Sequence, residues 1–437
     1  MLNTVKKKKN GISSVYIKNI DYNEFELKSN VIYGNGAKTS YKYDILQRLS
    51  NLHSTAANNE VMQDINYSYD EVSNIVEITN SAGPISSGMG GTYHNLYQYD
   101  NLYRLENSNG TWNESLGFTL NMAYYANGRI AHKDLHAQTL QDNGGIISQN
   151  YSRNYQYNNN LQPNTLTKVT GSDYQLLQWD ATGNLRFHNN EREGFHRYFC
   201  WDEQNRLQGV SDENWLSYYQ YDAAGERTYK LTGKYSTQNI NGSYYRYANL
   251  VNATLYASPY LVATNKGYTK HYYAETERIA SKIGGGNLTN LTNSLVTTNQ
   301  FKCKLDSNDY HLKIVTNECL NSENWNTQEL LRELFNYRDS VHDEKECFWY
   351  HPDHLGSSSW ITTVNAKPVQ HLHYLPWGED FINQRASGYI GARYTFSAKE
   401  KDSETGLSYF GARYYTSDLS IWLSVDPMSD KYPSLSP

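Results

Sequence analysis

The chain has 437 residues, of which 41 are Tyr, 9 Pro and 5 Met. Aromatics reach 14% and charged residues 19%, against about 25% charged in an average soluble domain. That excludes a disordered chain and a heptad coiled coil, and it points to Tyr-rich strands. The net charge of −6 argues against nucleic acid or an anionic membrane as the main partner.

In chain order, residues 1–9 read as a basic tail ending in Lys6–Lys9. Asn10-Gly11-Ile12-Ser13-Ser14 follows where a secretory signal needs an apolar core, so no export signal is expected. No window approaches the ~18 apolar residues of a membrane span.

From residue 10 to 286 a block recurs: Tyr41-Lys42-Tyr43-Asp44, Tyr67-Ser68-Tyr69-Asp70, Tyr97-Gln98-Tyr99-Asp100, then Trp179-Asp180, Trp201-Asp202 and Tyr219-Gln220-Tyr221-Asp222. Degenerate copies such as Tyr124-Tyr125-Ala126 and Tyr155-Gln156-Tyr157-Asn158 keep the aromatic pair without Asp. A second block follows: Gln47-Arg48-Leu49, Tyr103-Arg104-Leu105, Gly128-Arg129-Ile130, Gly183-Asn184-Leu185 and Asn205-Arg206-Leu207. Alternation on both sides of an Asp-to-Gly/Asn turn predicts a β-hairpin. The tightest copies, Trp201 and Tyr221, lie 20 residues apart. Longer intervals are expected to hold loop insertions at Gly83–Gly91 and Leu140–Ser148. A lone hairpin cannot bury a core, so the hairpins must stack.

This unit resembles the YD repeat of the RHS and teneurin-like proteins. The resemblance implies an all-β fold of stacked hairpins in a spiralling sheet or partial hollow shell.

Residues 287–347 break the rhythm. Asn287–Asn293 reads as a polar linker, and Asn326–Phe335 as a short helix with Leu330, Leu331, Leu334 and Phe335 on one face. The expected fold class thus includes a small helical insertion. Four cysteines, Cys200, Cys303, Cys319 and Cys347, match no zinc spacing. They are expected as free thiols, with one disulfide among the last three as the alternative in an exported chain.

Residues 348–437 carry His351-Pro352-Asp353-His354-Leu355-Gly356, then Gly378-Glu379, Gly406, Arg413-Tyr414-Tyr415 and Asp426-Pro427. These motifs, in this order, resemble the RHS repeat-associated core, which in that family closes the shell. His351, Asp353, His354, His371 and His373 are weak metal candidates; the favoured reading is backbone hydrogen bonding, with no metal or cofactor.

The resemblance also implies self-cleavage in some members, by two aspartates sharing a proton. Asp426 matches the first of them, with Arg413 as a possible orienting cation; a structural ion pair of Arg413 with Asp402 or Glu404 is the preferred reading. The second Asp-Pro-x-Gly is not found, so no complete dyad is expected and the chain is read as non-catalytic. No Gly-x-Ser-x-Gly, Gly-Lys-Ser/Thr or His-Glu-x-x-His motif occurs.

The expected function is a structural shell segment truncated before a toxin. In the family such a shell encloses a C-terminal toxin, with an immunity protein or secretion component as further partners and a secreted or cell-surface location. The alternatives are a carbohydrate-binding or adhesive surface protein, and a self-cleaving aspartyl protease in an untruncated form.

Overall fold

The computed structural model describes residues 4–9, 12–264, 267–284, 300–304, 346–389 and 391–431. They divide into two compact units. The first comprises Met1–Asn154, His271–Lys282 and Glu346–Lys401; the second comprises Tyr155–Lys270, Ile283–Lys345 and Asp402–Pro437.

In the first unit, each strand pairs antiparallel with the next, from Val5–Lys9 and Ile12–Tyr22 through to Ile130–Leu140 and Ile146–Gln156. The basic run expected as a tail is therefore a strand, Lys6–Lys9 pairing with residues 12–15. Leu140–Ser148, expected as a loop, is the tight end of a hairpin of two 11-residue strands. Four later strands, Glu346–Pro352, Ser358–Thr362, Pro368–Tyr374 and Asp380–Arg385, form an antiparallel meander. Its last strand joins Ile130–Leu140 in parallel through Ile382 and Leu140.

The second unit repeats the theme from Gln175–Trp179 to the long strands Arg227–Ile240 and Ser243–Ser258. The expected helical insertion is corrected here. Among the described residues there is no α-helix, only 3-10 turns at Phe396–Ala398 and Ser429–Lys431. The stretch Asn326–Phe335 lies outside the described residues. The described part of the insertion, Gln300–Lys304, is a strand on Tyr245–Asn249. Strand Leu261–Thr264 covers only the Thr254–Ser258 end of Ser243–Ser258, so the edge left along the first half of that long strand is open for Gln300–Lys304 to pair with.

Side chains alternate inward and outward, as in Val61–Tyr69. In the first unit Tyr16, Ile17, Ile20, Val31 and Tyr33 form a core with Ile279, Ala280, Cys347 and Trp349. Each fully buried large apolar side chain contributes roughly 1.5–3 kcal/mol. Among the described residues neither Cys200 nor the buried Cys347 forms a disulfide, which takes Cys347 out of the alternative reading of one bridge among the last three cysteines; the side chain of Cys303 and all of Cys319 lie outside the described residues.

Candidate functional site

The repeat's aspartate builds its turn. Asp202 donates its N–H to the Arg206 carbonyl (2.9 Å), and its own carbonyl accepts from Asn205 (3.0 Å). Its Oδ1 accepts from the backbone N–H groups of Gln204 and Arg206, both at 2.9 Å. Asn205 takes a left-handed φ of 59°. This is a type I turn closed by a left-handed bulge residue. Asp44, Asp70, Asp100, Asp180 and Asp222 make the same pair of Oδ1 contacts, to the second and fourth residues beyond each. Hydrogen bonds to the ionised form hold the carboxyls of Asp44, Asp70 and Asp100 below the ordinary aspartate range, against a desolvation that raises them.

The same residues then link one hairpin to the next. Arg206 Nε donates to Asp202 Oδ2 (2.6 Å), Nη1 reaches the Asp222 carbonyl (3.1 Å), and the guanidinium lies 5.2 Å over the Tyr221 ring. Arg48 repeats this clasp on Asp70 and Tyr69, and Arg104 on Tyr125 and Tyr124. The second aromatic faces backwards. The phenols of Tyr43, Tyr69, Tyr99, Tyr124 and Tyr221, and the indoles of Trp179 and Trp201, donate to carbonyls of the preceding hairpin at 2.6–2.8 Å. In the degenerate copy the aromatic in this role is Tyr124; Tyr125 stands in the aspartate's place, its N–H bonded to Arg129. The pairing register slips at the second aromatic of each of these strands, as a β-bulge requires.

Asp353 makes the same turn, which its sequence context hides: Oδ1 accepts from Leu355 and Ser357 at 2.8 Å, and Gly356 has φ 76°. Gly378 (φ 92°) closes a turn with only backbone bonds, Leu375 to Glu379. Glu379 itself holds Lys133 at 2.6 Å, both side chains buried. In the second unit, Asp402 is fully buried between Arg227 (3.0 Å) and Lys230 (2.7 Å), and Lys230 also meets Glu404 at 3.0 Å. Arg227 donates to the Tyr414 phenol (2.7 Å). The Gly406 N–H donates to the Asp402 carbonyl, and Tyr415 packs 5.2 Å from Trp422.

Arg413 pairs with Asp426 at 2.6 Å and lies 4.3 Å over Trp422, and not with Asp402 or Glu404 as expected. Burial lowers the Arg413 guanidinium, which Asp426 partly offsets. The other Asp426 oxygen caps Met428 N–H at 2.8 Å, and Pro427 is exposed. Among the described residues no second carboxylate is paired with Asp426, so this geometry supplies a capped ion pair.

The histidines do not gather as metal ligands, and no group of three suitable donors occurs among the described residues. His351 bonds the Thr362 hydroxyl (2.9 Å) and packs edge-on to Tyr33. His371 bonds Gln384 (3.1 Å). His373 sits 4.2 Å from the Tyr93 ring and bonds the Asn95 amide (3.2 Å); His354 is edge-on to Tyr67. Burial pushes His351 and His373 down to about 3 and His371 to about 4. A cavity of about 210 Å³ within the first unit is lined by Tyr67, Tyr93, Tyr97, Asn95, Asp353 and His354, among others.

No family model matches the chain. It is 26% identical over 440 residues to the toxin subunit YenC1 of Yersinia entomophaga, over 96% of this chain and 40% of that protein. The crystal structure of TcdB2-TccC3-TEV superposes with a TM-score of 0.62 at 18% identity, over 97% of this chain and 19% of that one. The Photorhabdus luminescens Tc holotoxin pore gives 0.60 at 19% identity, over 97% and 18%. The chain thus shares its fold with Tc-toxin components and is a distant relative of toxin-complex subunits, spanning less than half of YenC1 and about a fifth of each solved chain.

Proposed function

We propose that the chain is a non-catalytic wall segment of an RHS-type (YD-repeat) shell, which encloses or presents a C-terminal toxin outside or at the surface of the producing cell. The fold likeness over 97% of the chain to TcdB2-TccC3-TEV carries this reading. The clasp geometry supports it: an aspartate, an arginine and a backward-facing aromatic join each hairpin to its neighbours, which suits a wall that extends by repetition. Candidate partners are the toxin polypeptide, an immunity protein and a secretion component.

A carbohydrate-binding surface needs rings open to solvent. The rings of the repeat are largely committed: Tyr67 and Tyr219 are buried, and the second aromatics are capped on neighbouring carbonyls. Imaging of the purified protein by cryo-electron microscopy tests the wall reading. A sheet bounding a solvent lumen is expected, and a solid particle with no lumen would refute it. Self-cleavage is not expected: Asp426→Asn should leave the intact mass unchanged over days, and a wild-type cut that this variant abolishes would restore the protease reading.

A further inference from the structure

One rim of the first unit carries a row of exposed apolar side chains that its turns do not require. The five turns at 23–27, 44–48, 70–74, 100–104 and 125–129 lie at the same end of the sheet. They stand side by side. The phenols of Tyr43 and Tyr99 donate to the Lys28 and Ile75 carbonyls (2.8 Å each), Arg48 Nη1 to the Asp70 carbonyl (3.2 Å) and Arg104 Nη1 to the Tyr125 carbonyl (2.9 Å). In four of these turns the residue two beyond the Asn or Asp, whose N–H its Oδ1 accepts, is Phe25, Leu46, Val72 or Leu102. Only the backbone of that residue serves the turn, so a polar side chain would do equally well. Turns of the same kind in the second unit hold Thr182, Gln204 and Ala224 there. Turns at the other end of the first unit's strands show Asn58, Glu114 and Ser115, and Asp142 and Asn143.

Ile45, Tyr103 and Tyr125 join the row, and its seven residues are 42–94% exposed. At roughly 200 Å² for a fully exposed large side chain, the row presents on the order of 800 Å² of mainly apolar surface. That exceeds the ~300–600 Å² of the largest patch on a typical monomer and matches the ~800 Å² that each partner buries in a stable complex. A second copy of the same rim fits it best. Successive turns stand two strands apart, ~10 Å, so a reversed copy of the row matches it turn for turn. Exposed Glu24 and Glu26 flank Phe25 at one end, and Arg129 closes the turn at the other. A two-fold axis through the middle turn sets each acidic end against the basic end of the other copy. Glu71, beside that axis, meets its own copy, but it is exposed and water and salt screen the repulsion.

We propose that two copies of this chain pair through this rim. Their rows run antiparallel about a two-fold axis at the Val72 turn, with Leu46 of each copy against Leu102 of the other. The pairing does not depend on the shell reading.

Sedimentation velocity of the whole chain, from about 1 to 100 μM, tests it. A mass of two chains is expected, with half-association at about 10 μM or below. Leu46→Lys and Leu102→Glu should each weaken the pairing about tenfold or more. Both side chains are exposed, so the thermal midpoint should not move. Asn58→Lys, at the other end of the strands, should leave the pairing unchanged. Mixed one to one, the two rim variants should pair again, because antiparallel rows set the introduced lysine against the introduced glutamate. A chain still monomeric at about 100 μM, assemblies that grow beyond two chains, pairing undiminished by Leu46→Lys, equal loss in Asn58→Lys, or a mixture that stays unpaired would each overturn the proposal. The wild-type mass needs no variant, so that result stands even if a variant misfolds.

Discussion

At the scale of single residues, the aspartate of the repeat acts as a backbone cap before it acts as a charge. Asp202 satisfies two turn N–H groups and anchors Arg206. Removing such a cap leaves N–H groups unpaired, so Asp202→Ala should cost about 1–2 kcal/mol in urea unfolding, and Asp202→Asn less. The buried histidines set a second expectation. His351, His371 and His373 are held far below the ~6.5 of an unfolded histidine. A base with a depressed folded value contributes stability that is whole above the unfolded value and is lost as pH falls towards the folded one. The first unit should therefore weaken steadily between about pH 6.5 and 4, where the turn aspartates with lowered values remain charged. Urea midpoints at pH 7.5, 6 and 5 check this, and a flat profile would contradict it.

At the scale of the element, the five-residue turn explains which glycines matter. Gly378 has φ 92° and a Cβ there would come within 2.6 Å of the Phe396 ring; Gly225 has φ 84° and open space. Gly378→Ala should cost the left-handed strain of ~1 kcal/mol plus an overpacking of about 1–3 kcal/mol, and Gly225→Ala only the strain. Thermal midpoints of the two variants should separate accordingly. This turn is also what made the hairpins legible in the sequence, because Asp, the left-handed residue and Arg or Asn fall within five positions. The Asp353 turn escaped because Pro352 stands where the second aromatic is expected. The turns at Leu375–Glu379 and Thr363–Lys367 use backbone bonds alone, so no side-chain code marks them. In Tyr124-Tyr125-Ala126 the sequence alone does not show which tyrosine is the second aromatic, for a similar reason: without Asp, only the register shows that Tyr124 ends the strand.

At the scale of the molecule, what the sequence could not disclose is long-range. Arg227 and Asp402 are 175 residues apart, and Lys133 and Glu379 are 246 apart; no local pattern announces either pair. Arg413 is a separate case: of the carboxylates considered for it, Asp426 holds it, 13 residues on, in place of Asp402 or Glu404. Asp402→Ala would leave Arg227 and Lys230 facing each other without their shared carboxylate, and a loss of about 3–5 kcal/mol is expected. Asp402→Asn should recover only part of it, as denaturant midpoints would show. The central claim is that these clasped hairpins serve as an enclosing wall, and protease protection tests it most directly. An unfolded reporter carrying a protease site, fused after Pro437, should be cut at least about tenfold more slowly than the same reporter on an unrelated folded domain, a margin of roughly 1.4 kcal/mol in accessibility. Equal cutting rates would contradict the account.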